Sequence, residues 1–166
     1  MWRKDYSNEA PKNSWQPEQV KEKMMAYCAY QERCIWEAKR KMFEKKVDED
    51  VQEEVIRYLL DEKFIDEERF AKAFCRGKFN MKKWGRKRLS MELKMRKIPE
   101  DLIRKGLAEI DPYAYYDTLL AELEKRWERE KENDSKKKKY KVTQYLMSRG
   151  FEYDLIRDAI EEFGVS

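Results

Sequence analysis

A short basic segment, KKWGRKRL from Lys82 to Leu89, carries the side chains of this chain that are best suited to binding chemistry. Five of its eight residues are basic, and they surround one Trp-Gly pair with no acid between them. Lysine and arginine bind phosphate oxygens and carboxylates through charge-assisted hydrogen bonds. Three interpretations are open: a surface for a phosphate backbone, a docking surface for an acidic protein, or a solvated helix start.

Charge is strongly segregated along the chain, although the net charge is only +4. Ten basic residues and one acid, Glu92, lie between Arg76 and Lys97, which gives that segment a net charge of +9. Ten acids and three bases lie between Asp48 and Arg69, which gives a net charge of −7. Such asymmetry indicates a charged partner more directly than the net charge of the whole chain does.

The residue types that most catalytic sites need are missing. The 166 residues include no histidine, which excludes Ser-His and Cys-His nucleophile pairs and removes the commonest general base. No GxxxxGK[ST] or GxGxxG segment is present to hold a nucleotide phosphate. Asp48, Asp50, Glu53 and Glu54 could hold Mg²⁺ for phosphodiester cleavage, but acids are also typical of a helix N-terminus with a solvated face. We favour the second interpretation and predict a protein that is not an enzyme and needs no metal or cofactor.

The cysteines and the N-terminus predict a cytoplasmic protein. Cys28, Cys34 and Cys75 are odd in number and lack CxxC spacing, so buried thiols in a reducing compartment are expected rather than a disulfide framework. No apolar run reaches the roughly 18 residues that a membrane-spanning helix needs. The first residues, MWRKDYSNEAPKNSWQP, lack the apolar core of a signal peptide.

A helix is the element that we expect to position the basic segment. Leu89 and Leu93 share one side of a helix beyond Trp84-Gly85, because residues four apart lie on the same face. The cations at positions 86, 87, 94 and 97 fall within about 100° of one another on an adjacent side, while Arg88 points elsewhere and is expected to pair with an acid. With two lysines of the preceding loop, the predicted basic face consists of Lys82, Lys83, Arg86, Lys87, Lys94 and Lys97.

An internal repeat organises the chain. The apolar series Leu89, Leu93, Ile98, Leu102, Leu107 and Ile110 recurs 53 residues later as Val142, Leu146, Phe151, Leu155, Ile160 and Phe163. It also occurs 51 residues earlier as Ala38, Met42, Val47, Val51, Ile56 and Leu59. The repeat predicts an all-α fold of about nine helices, in which three tandem three-helix units form an elongated, curved array. The predicted boundaries are a mobile tail at 1–17, units at 18–64, 65–111 and 112–166, and a charged connector at 130–140 within the third unit.

Two segments in the central unit, FIDEERFAKAF (64–74) and KKWGRKRLSMELKMRKI (82–98), resemble the central signature of the RecX family, regulators of the RecA recombinase. The sequence departs from the commoner pattern at Glu67, where a second Asp is usual, and after Lys97, where Ile98 follows without the usual glycine. The matching positions, which the resemblance implies to be structural, are Ile65, Asp66, Arg69, Phe70, Ala71, Gly85, Arg88, Leu89, Leu93 and Ile98.

The resemblance implies a non-enzymatic regulator that binds RecA filaments on DNA. Occupying the filament groove would inhibit RecA ATP hydrolysis, strand exchange and co-protease activity. The implied partners are the RecA filament, single-stranded DNA and, more weakly, double-stranded DNA; no membrane is involved and a monomer is expected. The residues themselves leave open whether the basic face meets phosphate or an acidic protein surface. A stand-alone nucleic-acid-binding module and a metal-dependent nuclease are the competing hypotheses.

Overall fold

Nine α-helices and no strand form the regular structure of residues 13–164, the part of the chain that the computed structural model describes. The all-α prediction is confirmed. Residues 1–12, which make up most of the predicted tail, lie outside the described residues. The helices are α1 (Pro17–Tyr30), α2 (Ile35–Glu44), α3 (Glu49–Asp61), α4 (Glu67–Lys82), α5 (Arg86–Met95), α6 (Glu100–Leu107), α7 (Pro112–Arg129), α8 (Ser135–Ser148) and α9 (Tyr153–Phe163).

The predicted helical repeat is confirmed by the burial of its apolar positions. The first three positions of the series are buried in every copy, from Ala38, Met42 and Val47 onward. The fourth position is half-buried in every copy. Phe163 departs from the pattern, since 36% of it is exposed at the end of α9. The apolar series recurs because the second and third helices of each unit bury equivalent apolar residues.

The repeat extends to the backbone of the turn between the second and third helix of each copy. Lys46, Lys97 and Gly150 occupy the same repeat position, and all three have a positive φ, of 57°, 61° and 100° respectively. In each copy the following amide donates a hydrogen bond to a carbonyl five residues earlier, as from Ile98 to Leu93 at 3.1 Å. This bond closes the C-terminus of the helix, where the residue with positive φ is normally a glycine. Lys46 and Lys97 therefore adopt a backbone conformation for which glycine is the usual residue.

The chain divides into two compact units, of which the first ends at Glu67. Helix α3 packs against both α1 and α2 there. Trp15 lies against this core, and its backbone amide donates to the Lys45 carbonyl at 3.1 Å. These contacts are a departure from the prediction of a mobile tail that reaches residue 17. The buried core consists of Val20, Met24, Cys28, Ala38, Met42, Val47, Val55, Ile56, Leu59 and Ile65.

The second compact unit begins at Glu68 and contains both the central and the third predicted units. Within it α5 packs on α6, and α7, α8 and α9 pack on one another. The charged connector predicted at 130–140 is shorter than expected, because helix α8 already begins at Ser135. The Asp134 carboxylate accepts the Lys137 amide at 3.0 Å, and this cap satisfies a free amide of the first helical turn.

The three cysteines are free and buried, as predicted. Burial raises the pKa of the Cys75 thiol to about 12, so this sulfur stays protonated and unreactive at neutral pH. None of the helices between residues 13 and 164 combines the length and apolar character required to cross a bilayer.

Candidate binding surface

The N-terminus of α5, at the centre of the predicted basic face, is occupied by the protein itself. The amide of Gly85 donates to the Arg149 carbonyl at 2.8 Å, and the amide of Lys87 donates to the Gly150 carbonyl at 3.0 Å. The amide of Arg86 donates to the Tyr115 hydroxyl at 3.0 Å. The first amides of a helix often bind phosphate. Here they anchor α5 to α7 and to the α8–α9 turn, so any anion at this surface must be held by side chains.

Close backbone approach explains the glycine that precedes α5. Gly85 is buried, and a Cβ atom at this position would overlap the carbonyl group of Gly150 and the amide of Phe151. On the other side, a Cβ at Gly150 would lie 2.5 Å from the Cβ of Arg88. Two glycines therefore let the α5 N-terminus and the α8–α9 turn meet at backbone distance.

Arg86, predicted to belong to the basic face, is engaged in this internal contact. Its guanidinium donates to the Glu152 carboxylate at 2.9 Å and lies 3.8 Å from the centre of the Tyr115 ring. The Tyr115 hydroxyl in turn donates a short hydrogen bond to Glu152. Glu152 therefore offsets much of the Arg86 charge, and we assign Arg86 to the packing of α5 against α7 and α9.

Tyr115 is the buried centre of this network, only 1% exposed. Burial, reinforced by the hydrogen bond to Glu152, raises the pKa of Tyr115 well above its ordinary value. The hydroxyl therefore keeps its proton, and it can donate to Glu152 while accepting from the Arg86 amide. Phe79 and Phe151 flank the ring, with centroids 5.9 and 5.4 Å away.

The lysines of the basic face remain available to solvent. Lys82, Lys87, Lys94 and Lys97 are exposed, and Lys83 is half-buried. Lys94 lies 3.9 Å from Glu100, a separation at which an exposed pair contributes little. An open groove of ≈ 520 Å³ lies beside these charges. Its lining residues are Arg86, Lys87, Ser90, Met91, Lys94, Leu107 and Glu152.

Lys83 and Lys97 sit at helix ends with a left-handed backbone. Their φ values are 56° and 61°, a conformation that costs a non-glycine residue about 1 kcal/mol or more. A lysine after a helix C-terminus gains from the helix dipole, which supplies a structural reason for these two charges. Lys82, Lys87 and Lys94 have no left-handed backbone, although Lys82 and Lys94 also lie in the last turns of α4 and α5. These three exposed lysines are the best test positions of the basic face.

The positions shared with the RecX signature are mainly structural in this fold. Leu89, Leu93 and Ala71 are fully buried, and Ile65, Phe70 and Ile98 are at most 5% exposed. Asp66 directly precedes α4, as expected of a cap, and Arg69 is exposed in its first turn. Arg88 lies over the Trp84 ring at 4.2 Å. The expectation that Arg88 pairs with an acid is replaced by this cation–π contact.

The acidic residues at 48–54 do not form a ligand cluster. Between residues 13 and 164 there is no group of three or more histidine, cysteine, aspartate or glutamate side chains placed to hold a metal ion. Asp48, Glu49 and Asp50 lie at the cap and first turn of α3, where negative charge is favourable to the helix dipole.

Sequence reasoning missed four residues that organise this surface: Tyr115, Arg149, Gly150 and Glu152. Gly150 follows the end of α8 and was not among the predicted site residues. The other three lie 29 to 67 positions from their partners in α4 and α5. The spacing of residues within one helix does not predict contacts over such distances in the sequence. A tyrosine inside an otherwise aliphatic stripe on α7 was the available signal, because a buried phenol needs a hydrogen-bond partner.

The Tyr115–Glu152 contact can be tested by a double-mutant cycle. We expect Tyr115→Phe to lower the free energy of unfolding by about 1–3 kcal/mol, because it leaves the Arg86 amide and one Glu152 oxygen without their partner. Glu152→Gln should be partly non-additive with it. Urea denaturation measures both. Tyr116→Phe is the matched control, since its hydrogen bond to Glu162 at 2.8 Å is exposed; equal losses for the two tyrosines would contradict a buried network.

The fold and this surface define a class of protein: an all-α array of three-helix repeats with a lysine-rich groove beside α5. Residues 66–107 match the family model for the second three-helix domain of RecX. Residues 113–160 match the model for the third three-helix domain of RecX. The two matches together span more than half of the chain, and the chain belongs to the RecX family.

Curated relatives agree with this family, and a solved structure shares the fold. The chain is 27% identical over 129 residues to the regulatory protein RecX of Clostridioides difficile (strain 630), a match that covers 76% of this chain and 61% of that protein. It is 27% identical over 140 residues to the regulatory protein RecX of Bacillus licheniformis, covering 84% of this chain and 53% of that protein. The chain thus spans little more than half the length of these relatives. The crystal structure of RecX from Lactobacillus salivarius superposes with a TM-score of 0.76 at 23% identity, covering 90% of this chain and 97% of that one.

Proposed function

We propose that this protein is a non-enzymatic regulator that binds RecA filaments on DNA and inhibits RecA. Membership of a family whose curated relatives are named regulatory proteins supports a regulatory role. The observation that carries the binding proposal is the groove beside α5, where Lys87 and Lys94 are exposed while the neighbouring Arg86 is paired internally.

Inhibition is proposed to arise from occupancy of the filament groove. A protein built of tandem helical units can contact adjacent RecA protomers at once, and each additional contact benefits from a high effective concentration. The bound array would obstruct a second DNA strand, a repressor substrate and the protomer movements that accompany ATP hydrolysis. The exposed lysines would lie against DNA phosphate or an acidic filament surface.

A stand-alone nucleic-acid-binding module is the second candidate, because exposed lysines alone bind any polyanion. The two proposals differ in their dependence on RecA. A plain nucleic-acid binder would bind bare single- and double-stranded DNA with a steep salt dependence. A filament regulator would require RecA for its effect.

RecA ATP hydrolysis on single-stranded DNA, titrated with this protein, tests the proposal. We expect inhibition well below one copy per RecA protomer, because a groove-bound protein affects several protomers at once. In a parallel control titration, single-stranded DNA is kept in excess, so that this protein and RecA do not compete for the same DNA. Inhibition that appears only when the protein covers the DNA stoichiometrically, or no inhibition at all, would contradict filament regulation.

A further inference from the structure

A second groove lies on α2 in the first compact unit and combines aromatic and basic side chains. It has a volume of ≈ 270 Å³ and lies outside the basic face. Phe43 borders it and is 77% exposed, which is unusual for so large an apolar residue. The groove is lined by Trp36, Lys39, Arg40, Phe43 and Gln52.

Two of the lining side chains, Arg40 and Gln52, are held in place by contacts within the unit. The Arg40 guanidinium lies 5.3 Å from the centre of the Trp36 ring and 3.7 Å from a Glu44 carboxylate oxygen. The Gln52 amide donates to the Val47 carbonyl at 2.9 Å, which fixes the α3 wall of the groove. An ordered groove costs less conformational entropy on binding than a flexible surface does.

The groove occupies the same repeat position as the groove beside α5. With the 51-residue offset, Trp36 corresponds to Lys87, and Phe43 corresponds to Lys94. Both pairs line their respective grooves. Helices α2 and α5, which are equivalent in the repeat, therefore each border a groove. The groove on α2 has aromatic residues at the two positions where the groove beside α5 has lysines. Recurrence at an equivalent position indicates a feature of the repeat rather than an accident of side-chain packing.

We propose that the α2 groove docks an acidic protein segment that inserts an apolar side chain, and that the RecA filament presents this segment. The apolar anchor would cover Phe43 and Trp36, while Lys39 and Arg40 pair with carboxylates beside it. Exposed aromatic and arginine side chains are the types that most often dominate protein interfaces. Naming RecA as the source rests on the proposed function.

Local charge favours a peptide over a nucleic acid. Exposed acids in the same unit, Glu44, Asp48, Asp50 and Glu53, lie on α2 and at the start of α3, the two helices that form the groove. A phosphate backbone carries charge at every nucleotide and would meet these acids. A peptide can confine its carboxylates to the side of Lys39 and Arg40.

Photocrosslinking from position 43 tests the proposal. Phe43 is replaced by p-benzoylphenylalanine, a photoreactive aromatic of similar shape, and the protein is irradiated with RecA filaments on single-stranded DNA. We expect crosslinks to a RecA peptide that contains aspartate or glutamate close to the crosslinked residue. The same substitution at Tyr30, 83% exposed in the same unit but outside the groove, is the matched control.

Crosslinks to DNA, to a second copy of this chain, or at a yield no higher than from position 30 would overturn the proposal. In parallel, Phe43→Ala with Arg40→Glu should raise the half-inhibitory concentration about thirtyfold or more, the effect of one interface hot spot, while Tyr30→Ala leaves it unchanged. Unchanged potency of the double variant would also overturn it. Failure of the wild-type protein to inhibit RecA would overturn the proposed function, and the assignment to RecA with it.

Discussion

Charge reversal of Lys82, Lys87 and Lys94 together should weaken RecA inhibition strongly while leaving the fold intact. These three lysines are exposed and lie outside the internal network of Arg86. Each exposed contact contributes up to about 1 kcal/mol, and reversal adds repulsion of similar size. We expect a total loss of about 1–4 kcal/mol, which raises the half-inhibitory concentration roughly fivefold to nearly a thousandfold.

The salt dependence of the same variant identifies the anion. If the lysines contact phosphate, the slope of log affinity against log salt should fall by about 0.7–0.9 for each lost contact, or about 2–3 in total. If they contact carboxylates on RecA, affinity for bare DNA should be unchanged and only filament binding should weaken. Fluorescence anisotropy on labelled DNA, with and without RecA, separates the two outcomes.

A charge-matched control is available at the start of α8. Reversal of Lys136, Lys137 and Lys139 changes the net charge by the same amount and places two of the three acids in the first turn of a helix, where they are favourable. This variant should fold at least as well as the wild type and inhibit nearly as well. Equal loss of inhibition in both variants would show a general electrostatic effect, and the basic face would have no special role.

The features that could be predicted from the sequence are those that depend on local periodicity. Leu89 and Leu93 were placed on the buried side of α5, and both are fully buried. The 51- and 53-residue offsets hold because each unit repeats the same spacing of buried apolar residues around the same left-handed turn, at Lys46, Lys97 and Gly150.

The features that could not be predicted depend on distant partners. A helical projection correctly separates Arg86 from Leu89, but it does not show that Tyr115 and Glu152 lie opposite Arg86. The run of lysines at 136–139 was assigned to a connector because of its charge. The Asp134 cap and the contact of Lys138 with the Trp127 ring at 4.3 Å instead allow α8 to begin at Ser135.

Gly85→Ala should strongly destabilise this surface. The added Cβ would overlap the backbone of Gly150 and Phe151, and backbone atoms cannot move aside as a flexible side chain does. Relief of the overlap requires α5 to separate from the α8–α9 turn, which breaks the amide hydrogen bonds of Gly85 and Lys87. We expect a loss of about 3 kcal/mol or more, combining overpacking with the lost hydrogen bonds.

Gly77→Ala is the matched control for this substitution. Gly77 lies within α4, and a Cβ there would meet no atom within 4 Å. Alanine at an open helical position should raise the free energy of unfolding by about 0.5–1 kcal/mol. The two glycine variants should therefore differ in sign as well as in size when urea denaturation is followed by circular dichroism.

Amide hydrogen exchange locates the damage caused by Gly85→Ala. Exchange should accelerate in the first turn of α5 and at the α8–α9 turn, because these segments lose their mutual hydrogen bonds. The amides of α1–α3 belong to the other compact unit, and they should keep their wild-type protection at the same denaturant concentration. Wild-type stability of Gly85→Ala, or uniform loss of protection along the whole chain, would show that the Gly85–Gly150 contact does not hold α5 in place. The position of Lys87 and Lys94 would then have to be explained by the packing of Leu89 and Leu93 alone.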